Sequence, residues 1–209
     1  MTRKRVIQLT VIANLTALSV LFYFTLKFPL PFLFPSFLDI QFSNLPAIIG
    51  GYALGPIAGS AIVAIRTLIK LPFSSTAMVG ELIDLIVGVA TVLTSSLIYK
   101  KIHTKKGAIY GMIAGIFVWV LIAVMANWLF VLDFYIEFYF DGAVEPLVGM
   151  MSVIPGITVD NYLERFILYA AIPFNILLAT LVYGITFLVY KRISHLIHEL
   201  SDKFATNGK

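Results

Sequence analysis

The chain has 209 residues, of which 60% are hydrophobic and 12% are charged. A soluble domain of this length cannot bury so much apolar surface, so the composition predicts an integral membrane protein. The absence of cysteine excludes disulfides, thiolate metal sites and cysteine nucleophiles, and the net charge of +4 does not indicate nucleic-acid binding because the basic residues cluster beside apolar runs.

Apolar runs suited to crossing a bilayer recur along the chain. A membrane-spanning helix needs about 20 apolar residues. We expect six such helices in a single all-α membrane domain over residues 1–209, with spans at about 6–26, 42–55, 57–71, 78–99, 108–131 and 166–190. The first run has no small-residue cleavage site after it, which favours a membrane helix over a signal peptide.

The segments between these runs differ in character. Residues 27–40 carry three prolines and many aromatic side chains, so we expect an irregular loop at the membrane surface. Residues 132–164 are polar and acidic, and we expect a loop that contains a short helix at about 144–151. The tail from Ile193 is expected to be a short helical extension on the cytoplasmic side.

The topology depends on whether residues 42–71 form one broken helix or two helices. The two-helix interpretation places every basic cluster on one side, which the positive-inside rule identifies as the cytoplasm. These clusters are Arg3, Lys4 and Arg5; Lys100, Lys101, Lys105 and Lys106; and Lys191, Arg192, Lys203 and Lys209. We therefore predict a multi-pass protein of the bacterial cytoplasmic membrane with both termini inside and residues 132–164 outside.

Four charges interrupt the apolar runs on either side of the turn at residues 72–77. Arg66 and Lys70 share one face of the third predicted helix, and Glu81 and Asp84 share one face of the fourth. A charge at mid-membrane costs about 2.5–3.5 kcal/mol on insertion scales, so these side chains should avoid lipid. They either line a polar cavity open to the outside or pair as Arg66–Glu81 or Lys70–Asp84 and lock two helices together. Their balanced charge favours a neutral or zwitterionic solute.

Three asparagines are further candidates for the same cavity. Asn44 begins the second helix, where a capping role is the simpler interpretation. Asn127 and Asn175 lie within the fifth and sixth helices, where each either contacts a ligand or bonds a neighbouring helix. We expect Trp119 to be an internal packing residue and Trp128 to lie in the interfacial aromatic belt.

The remaining polar patterns indicate no chemistry of their own. His103, His195 and His198 lack the spacing and carboxylate context of a metal site, and we expect no metal, cofactor or catalytic residue. Ala13 and Ala17 place two small residues on one face of the first helix, a pattern that allows close helix approach. That face is a candidate docking surface for a partner.

Taken together, the chain resembles the substrate-binding subunit, or S component, of energy-coupling factor (ECF) vitamin transporters. The resemblance covers nearly the whole chain in the order of the family, and it lies in Ala13-x-x-x-Ala17, FLDIQFSNLPAIIGGYALGPIAG at 37–59, RTLIKLP at 66–72, VGELIDLIVG at 79–88 and IPFNIL at 172–177. It implies six helices and a vitamin site that opens outward under a lid between the first two helices.

The resemblance also implies partners. The face with Ala13 and Ala17 would dock on the transmembrane subunit EcfT, which two ATPase subunits drive, and the S component would then topple to release its vitamin inside. The chain has no phosphate-binding loop of the G-x-x-x-x-G-K-[ST] kind, so ATP hydrolysis is assigned to the partners.

Two short segments of the sequence narrow the choice of vitamin within the family. Riboflavin binders tend to read FSD where this chain has Ser43-Asn44, and ANFL where it has Ile83-Asp84-Leu85-Ile86. A carboxylate at Asp84 favours a ligand that offers N–H donors, so we expect a pyridoxine or hydroxymethylpyrimidine type of vitamin. Arg66, Lys70, Glu81, Asp84, Asn44, Asn127 and Asn175 are the expected substrate-binding residues, and aromatic side chains of residues 28–42 would close over the ring.

Several alternatives stay open. Within the family, pantothenate would need Arg66 or Lys70 freed from its acidic neighbours, and riboflavin is the other candidate. Outside it, the chain is either an intramembrane enzyme that uses Glu81 and Asp84 as an acid–base pair or a ligand-free assembly subunit.

Overall fold

The computed structural model describes the backbone of residues 3–206, and the side chains of that range except Lys4 and residues 190–206. The helices are α1 Arg3–Thr25, α2 Asn44–Leu54, α3 Pro56–Lys70, α4 Val79–Lys101, α5 Lys105–Ala126, α6 Leu132–Phe140, α7 Glu145–Met150, α8 Tyr162–Phe166 and α9 Ile172–Thr206. A 3₁₀ turn at Leu71–Phe73 follows α3, and two π-helical turns join α5 to α6 and α8 to α9 at Asn127–Val131 and Ile167–Ala171. The fold is all-α, as predicted, apart from one small strand pair.

Within the described residues, five helical segments are long and apolar enough to cross a membrane. They are Arg5–Thr25, Pro56–Phe73, Val79–Lys101, Lys105–Phe140 and Tyr162–Val189. The predicted span at 42–55 corresponds to α2, which has 11 residues and so reaches about 16 Å, roughly half the hydrocarbon thickness. Nearly all of α2 is buried inside the bundle. Six complete crossings and the orientation of the termini stay predictions.

Two separate helices form from residues 42–71, as the two-helix interpretation predicts. The chain breaks at Gly55, whose φ of 100° lies in a region that favours glycine, and Pro56 begins α3. The helices then run antiparallel. A Cβ on Gly59 would lie 2.7 Å from the Ala47 carbonyl oxygen and 2.7 Å from the Gly51 Cα, so the absence of side chains at Gly59 and Gly51 allows this close contact.

The fifth helical segment corrects the sequence analysis. The predicted span at 108–131 does not end at residue 131 but continues through a π turn to Phe140. Asp133 and Glu137 are therefore helical, and the predicted 132–164 loop begins only at Asp141. The helix ends where Asp141 and Gly142 adopt φ values of 49° and 84°. The short helix expected at about 144–151 is confirmed as α7.

The segment between α1 and α2 is irregular, as its prolines predict, but its two ends pair. Lys27–Pro29 and Asp39–Gln41 form an antiparallel strand pair. Lys27 and Asp39 also form a salt bridge at 3.0 Å. Phe34 and Phe37 anchor the intervening loop by packing on Phe174 and Phe166, with ring centroids 5.3 and 5.9 Å apart. This hairpin covers one end of the helical bundle, and the bundle packs around a single hydrophobic core.

Candidate functional site

Three of the four intramembrane charges form one buried cluster between α3 and α4. Arg66 Nη2 and Lys70 Nζ both donate to Asp84 Oδ2, at 2.9 and 2.6 Å. The cluster is possible because Arg66 and Lys70 lie one helical turn apart and both face Asp84. Lys70 also lies over the ring of Tyr23, 3.7 Å from its centroid. The predicted Lys70–Asp84 pair is thus present, whereas Arg66 pairs with Asp84 rather than with Glu81.

Arg66 is connected to α2 as well as to α4. Its Nη1 donates to Asn44 Oδ1 at 3.0 Å and contacts Ser19 Oγ at 3.5 Å. The predicted capping role of Asn44 is wrong, because Ser43 occupies the N-cap position without a side-chain capping bond. Arg66 and Asn44 are both buried behind the wall that Asp84 forms. In this structure neither side chain lines the cavity. Arg66 contacts Asp84 from the buried side, and Asn44 contacts Arg66.

Glu81 holds the loop between α3 and α4. Its carboxylate accepts hydrogen bonds from Ser74 Oγ at 2.5 Å, from Thr76 Oγ1 at 2.9 Å and from Tyr23 Oη at 3.5 Å. Two residues of this loop, Ala77 and Met78, have positive φ values of 49° and 69°. Positive φ is uncommon for residues other than glycine, so the contacts to Glu81 help to hold an otherwise unfavourable loop conformation.

A polar cavity of about 230 Å³ opens beside these charges. Lys70, Glu81, Asp84, Asn127 and Asn175 all line it, so the structure brings five of the seven predicted binding residues to one cavity. Its wall also contains residues that sequence reasoning missed or assigned elsewhere, among them Tyr23, Lys27, Asp39, Gln41, Thr76 and Trp119. Trp119 is buried, as predicted, but it also forms part of the site.

The two asparagines each lie beside a π-helical turn. Asn127 Nδ2 donates to the Ala123 carbonyl and Asn175 Nδ2 to the Ala171 carbonyl, both at 2.8 Å. Asn175 Oδ1 accepts from Trp119 Nε1 at 3.1 Å. Asn127 Oδ1 accepts no hydrogen bond from the described residues, so it remains available to a solute. Such π turns are frequent at functional sites.

A second, mostly apolar cavity of about 510 Å³ adjoins the first. The two cavities share the lining residues Phe37, Leu38, Ser75, Thr76 and Asn127. The second is further lined by Val131, Leu132, Tyr135, Tyr139, Phe140, Leu147 and Met150. Most of these residues belong to the helical extension and to α7, which the sequence analysis treated as an outer loop. The candidate site is therefore a hollow of two adjoining compartments, one lined by charged and polar groups and one by aromatic and apolar groups.

The other predicted residues lie away from the hollow. Ala13 and Ala17 are exposed on the outer surface of α1. Trp128 is 48% exposed, and its place in an interfacial aromatic belt stays a prediction. His103 is exposed and packs on the ring of Tyr99, and His195 and His198 have side chains outside the described residues. Among the described residues, no group of three or more His, Asp or Glu side chains is arranged to hold a metal ion.

Comparison with known proteins gives consistent results. A family described as "ECF transporter, substrate-specific component" matches residues 7–190. The chain is 28% identical to the riboflavin transporter RibU of Staphylococcus aureus strain TCH60, over 92% of this chain and 93% of that protein. It is 26% identical to the riboflavin transporter FmnP of Bacillus subtilis strain 168, over 78% of this chain and 87% of that protein.

A solved structure supports the same relationship. The structure titled "Structure and mechanism of the S component of a bacterial ECF transporter" superposes with a TM-score of 0.65. The two chains are 26% identical, and the match covers 91% of this chain and 96% of the other. The match therefore extends over the whole bundle rather than over one helical pair.

Proposed function

Because the chain belongs to the family of ECF transporter substrate-specific components, we propose that it binds riboflavin outside the cell and delivers it to an ECF importer. As a family member it is a multi-pass protein of the cytoplasmic membrane and a transporter component rather than an enzyme. The comparisons do not support the expected pyridoxine or hydroxymethylpyrimidine substrate, since the relatives are named riboflavin transporters.

The physical reason for preferring a one-ring vitamin is also weaker in this structure. That expectation depended on Asp84 accepting hydrogen bonds from ligand N–H groups. Asp84 Oδ2 instead receives both Arg66 and Lys70. The same two contacts weaken the pantothenate alternative, because both cations already pair with a carboxylate, that of Asp84.

The hollow of two adjoining compartments is the observation that favours riboflavin. Riboflavin joins a flat three-ring system, apolar at one edge and polar at the other, to a hydroxylated chain. Such a ligand needs both a large apolar compartment and convergent polar groups, which is the usual composition of a small-molecule pocket. A single pyridine or pyrimidine ring would occupy the polar cavity and leave the apolar cavity of about 510 Å³ unfilled.

The lining residues support a division of roles. Lys70, Glu81, Asp84, Asn127 and Asn175 would contact the polar parts of the ligand. Arg66 and Asn44 would hold Asp84 in place rather than touch the solute, because both lie behind the cavity wall. Phe37 lines both compartments and would pack against the ring, where an aromatic contact excludes water and strengthens nearby hydrogen bonds.

Energy for import would come from partner subunits. We propose that the transmembrane subunit EcfT and two ATPase subunits act with this chain and that the face with Ala13 and Ala17 docks on EcfT. Loss of riboflavin uptake, with riboflavin binding retained, on disabling the ATPase subunits would support this assignment. Uptake that continued without them would contradict it.

A size-based test separates riboflavin from smaller vitamins. Leu147 is buried and lines the apolar compartment, so Leu147→Trp fills that compartment with an indole. We expect riboflavin affinity, measured by quenching of flavin fluorescence on the purified protein, to fall by roughly tenfold or more. Leu129→Trp is the matched control, because Leu129 is 67% exposed on the surface of the bundle.

Each outcome decides the proposal. Strong riboflavin binding by the unchanged protein, weakened by Leu147→Trp and unaffected by Leu129→Trp, supports the two-compartment site. Riboflavin affinity that does not change in Leu147→Trp contradicts the use of the apolar compartment. Tight binding of pyridoxine with no riboflavin binding overturns the substrate assignment.

A further inference from the structure

The aromatic ring of Tyr23 lies against the ammonium group of Lys70. Tyr23 is near the end of α1, and its side chain lines the polar cavity together with Lys70. Lys70 Nζ is 3.7 Å from the centroid of the ring, well inside the limit of about 6 Å for a cation–π contact. The sequence alone gives Tyr23 no role, because aromatic residues are common near the ends of membrane spans.

Lys70 needs a second partner because its carboxylate is shared. Asp84 Oδ2 accepts from both Arg66 Nη2 and Lys70 Nζ, so one negative charge serves two cations. Among the described side chains, no salt bridge joins Lys70 to Glu81. The face of an aromatic ring attracts a cation, and the attraction is stronger where water is excluded. Lys70 is 2% exposed, so the ring of Tyr23 is an effective second partner.

The ring of Tyr23 matters more to this contact than its hydroxyl. Tyr23 Oη lies 3.5 Å from Glu81 Oε1, whereas strong O–H···O hydrogen bonds have distances of about 2.7–2.8 Å. Glu81 also accepts two shorter hydrogen bonds from hydroxyl groups of its own loop. Loss of the Tyr23 hydroxyl therefore leaves Glu81 satisfied, whereas loss of the ring leaves Lys70 with only a shared carboxylate.

Tyr23 and Asp84 together fix the direction of the Lys70 ammonium group. An ammonium group has three N–H donors, and among the described residues Lys70 Nζ makes one hydrogen bond, to Asp84 Oδ2. The ring of Tyr23 covers another side of the group. Because Lys70 lines the polar cavity, a donor remains for an acceptor atom of a solute. A lysine side chain is flexible, so holding it in place reduces the ordering cost of that contact.

We propose that Tyr23 is a positioning residue of the vitamin site. Its ring holds the Lys70 ammonium group in the direction that donates a hydrogen bond to an oxygen or ring-nitrogen acceptor of the bound vitamin. Tyr23 acts through Lys70 and itself needs no contact with the vitamin. The identity of the ligand rests on the proposed function, but the contact between Tyr23 and Lys70 is measurable without a ligand.

Three variants of the full chain separate the ring from the hydroxyl. Tyr23→Phe keeps the ring, and Tyr23→Leu removes it. Phe22→Leu is the matched control, because Phe22 is also on α1 but lies among apolar residues outside the polar cavity. We expect riboflavin affinity, measured by quenching of flavin fluorescence, to fall roughly three- to tenfold in Tyr23→Leu. Tyr23→Phe and Phe22→Leu should each change it by less than about twofold.

A double-mutant cycle with Lys70→Met tests whether Tyr23 acts through Lys70. Arg66 and Asp84 keep each other as partners in Lys70→Met, so neither buried charge is left unpaired. In that background we expect Tyr23→Leu to lower riboflavin affinity by less than about twofold, because the group that Tyr23 positions is absent. Thermal unfolding of the same proteins without ligand measures the contact itself, and Tyr23→Leu should lower the Tm less when Lys70 has been replaced.

The possible results separate the roles that Tyr23 could have. A loss of affinity in Tyr23→Leu that disappears in the Lys70→Met background, with Tyr23→Phe close to the unchanged chain, supports the positioning role. No loss in Tyr23→Leu overturns it, and so does an equal loss in both backgrounds, because Tyr23 then acts on the fold or touches the vitamin directly. An equal loss in Tyr23→Phe and Tyr23→Leu also overturns it and assigns the effect to the hydroxyl.

Failure of the proposed function is distinguishable from failure of the positioning role. If the unchanged chain binds no riboflavin, the proposed function fails, and the unfolding measurements decide whether Tyr23 holds Lys70. Coupled effects of Tyr23→Leu and Lys70→Met on the Tm then support the contact, and independent effects overturn it.

Discussion

At the scale of single residues, the central feature is one carboxylate, Asp84, that pairs with two buried cations. Arg66 is fully buried and Lys70 is 2% exposed, so neither is solvated by water. We therefore expect Asp84 to stabilise the fold as well as to line the candidate site, because uncompensated buried charges are costly. Glu81 differs, since hydroxyl groups of the neighbouring loop and Tyr23 satisfy its carboxylate.

Replacing Asp84 tests how much the two buried cations depend on its carboxylate. Asp84→Asn leaves Arg66 and Lys70 without a counter-charge, and we expect a loss of about 3 kcal/mol or more in the free energy of unfolding. The same change in the partly exposed Lys27–Asp39 pair, Asp39→Asn, should cost less than about 1 kcal/mol. Unfolding of the purified proteins in detergent gives both values. Equal and small losses would show that the cluster is not a buried ion group.

At the scale of elements, the site depends on close contact between α2, α3 and α4. Glycines without side chains permit this contact at the α2–α3 hairpin and again at Gly88 of α4. The two π turns place Asn127 and Asn175 beside the hollow, each with its amide nitrogen already bonded to its own helix. If the proposed ligand binds here, this orientation of the two amides would reduce the ordering cost of binding.

A methyl group at Gly88 should disturb the site through the helix contact. A Cβ there would lie 2.8 Å from Val63 Cγ1 and 3.0 Å from Asn44 Oδ1, the atom that accepts from Arg66. We expect Gly88→Ala to cost about 1–3 kcal/mol of stability and to weaken riboflavin binding. Gly184→Ala is the control, because the described residues outside its own stretch of helix place no atom within 4 Å of the added Cβ.

The control variant Gly184→Ala has its own expected effect on the stability of the protein. Alanine is a better helix former than glycine, so Gly184→Ala should be neutral or stabilise the protein by up to about 1 kcal/mol. Thermal unfolding and flavin titration of both variants provide the comparison. A Gly88→Ala protein as stable as Gly184→Ala would contradict the close packing of α4 against α2 and α3.

At the scale of the whole molecule, the sequence predicted the membrane class, the family and most of the helices. Apolar length identified the long spans because a bilayer requires it. The sequence does not predict the helical extension Leu132–Phe140, because its acidic residues, Asp133 and Glu137, are typical of a loop outside the membrane. The sequence does not distinguish α2, an 11-residue helix buried mostly inside the bundle, from a full span, because a helix buried in protein is as apolar as one in lipid.

The sequence predicts part of the candidate site, for similar physical reasons. Charges in an apolar run identified Lys70, Glu81 and Asp84 because their cost in lipid is high. The apolar compartment had no such signal, since Phe37 and Leu147 are distant in sequence and resemble any other core residue. The expectation of a one-ring vitamin is not supported for a related reason, because the sequence does not show that Asp84 pairs with both Arg66 and Lys70.

The central claim is that the joined polar and apolar cavities accept riboflavin. The most direct measurement incubates the purified chain with equal concentrations of riboflavin, pyridoxine, hydroxymethylpyrimidine and pantothenate. Free vitamins are then removed, the protein is denatured, and the released molecule is identified by mass and absorbance. The account predicts release of riboflavin in close to one-to-one ratio with protein, and release of another vitamin, or of none, would contradict it.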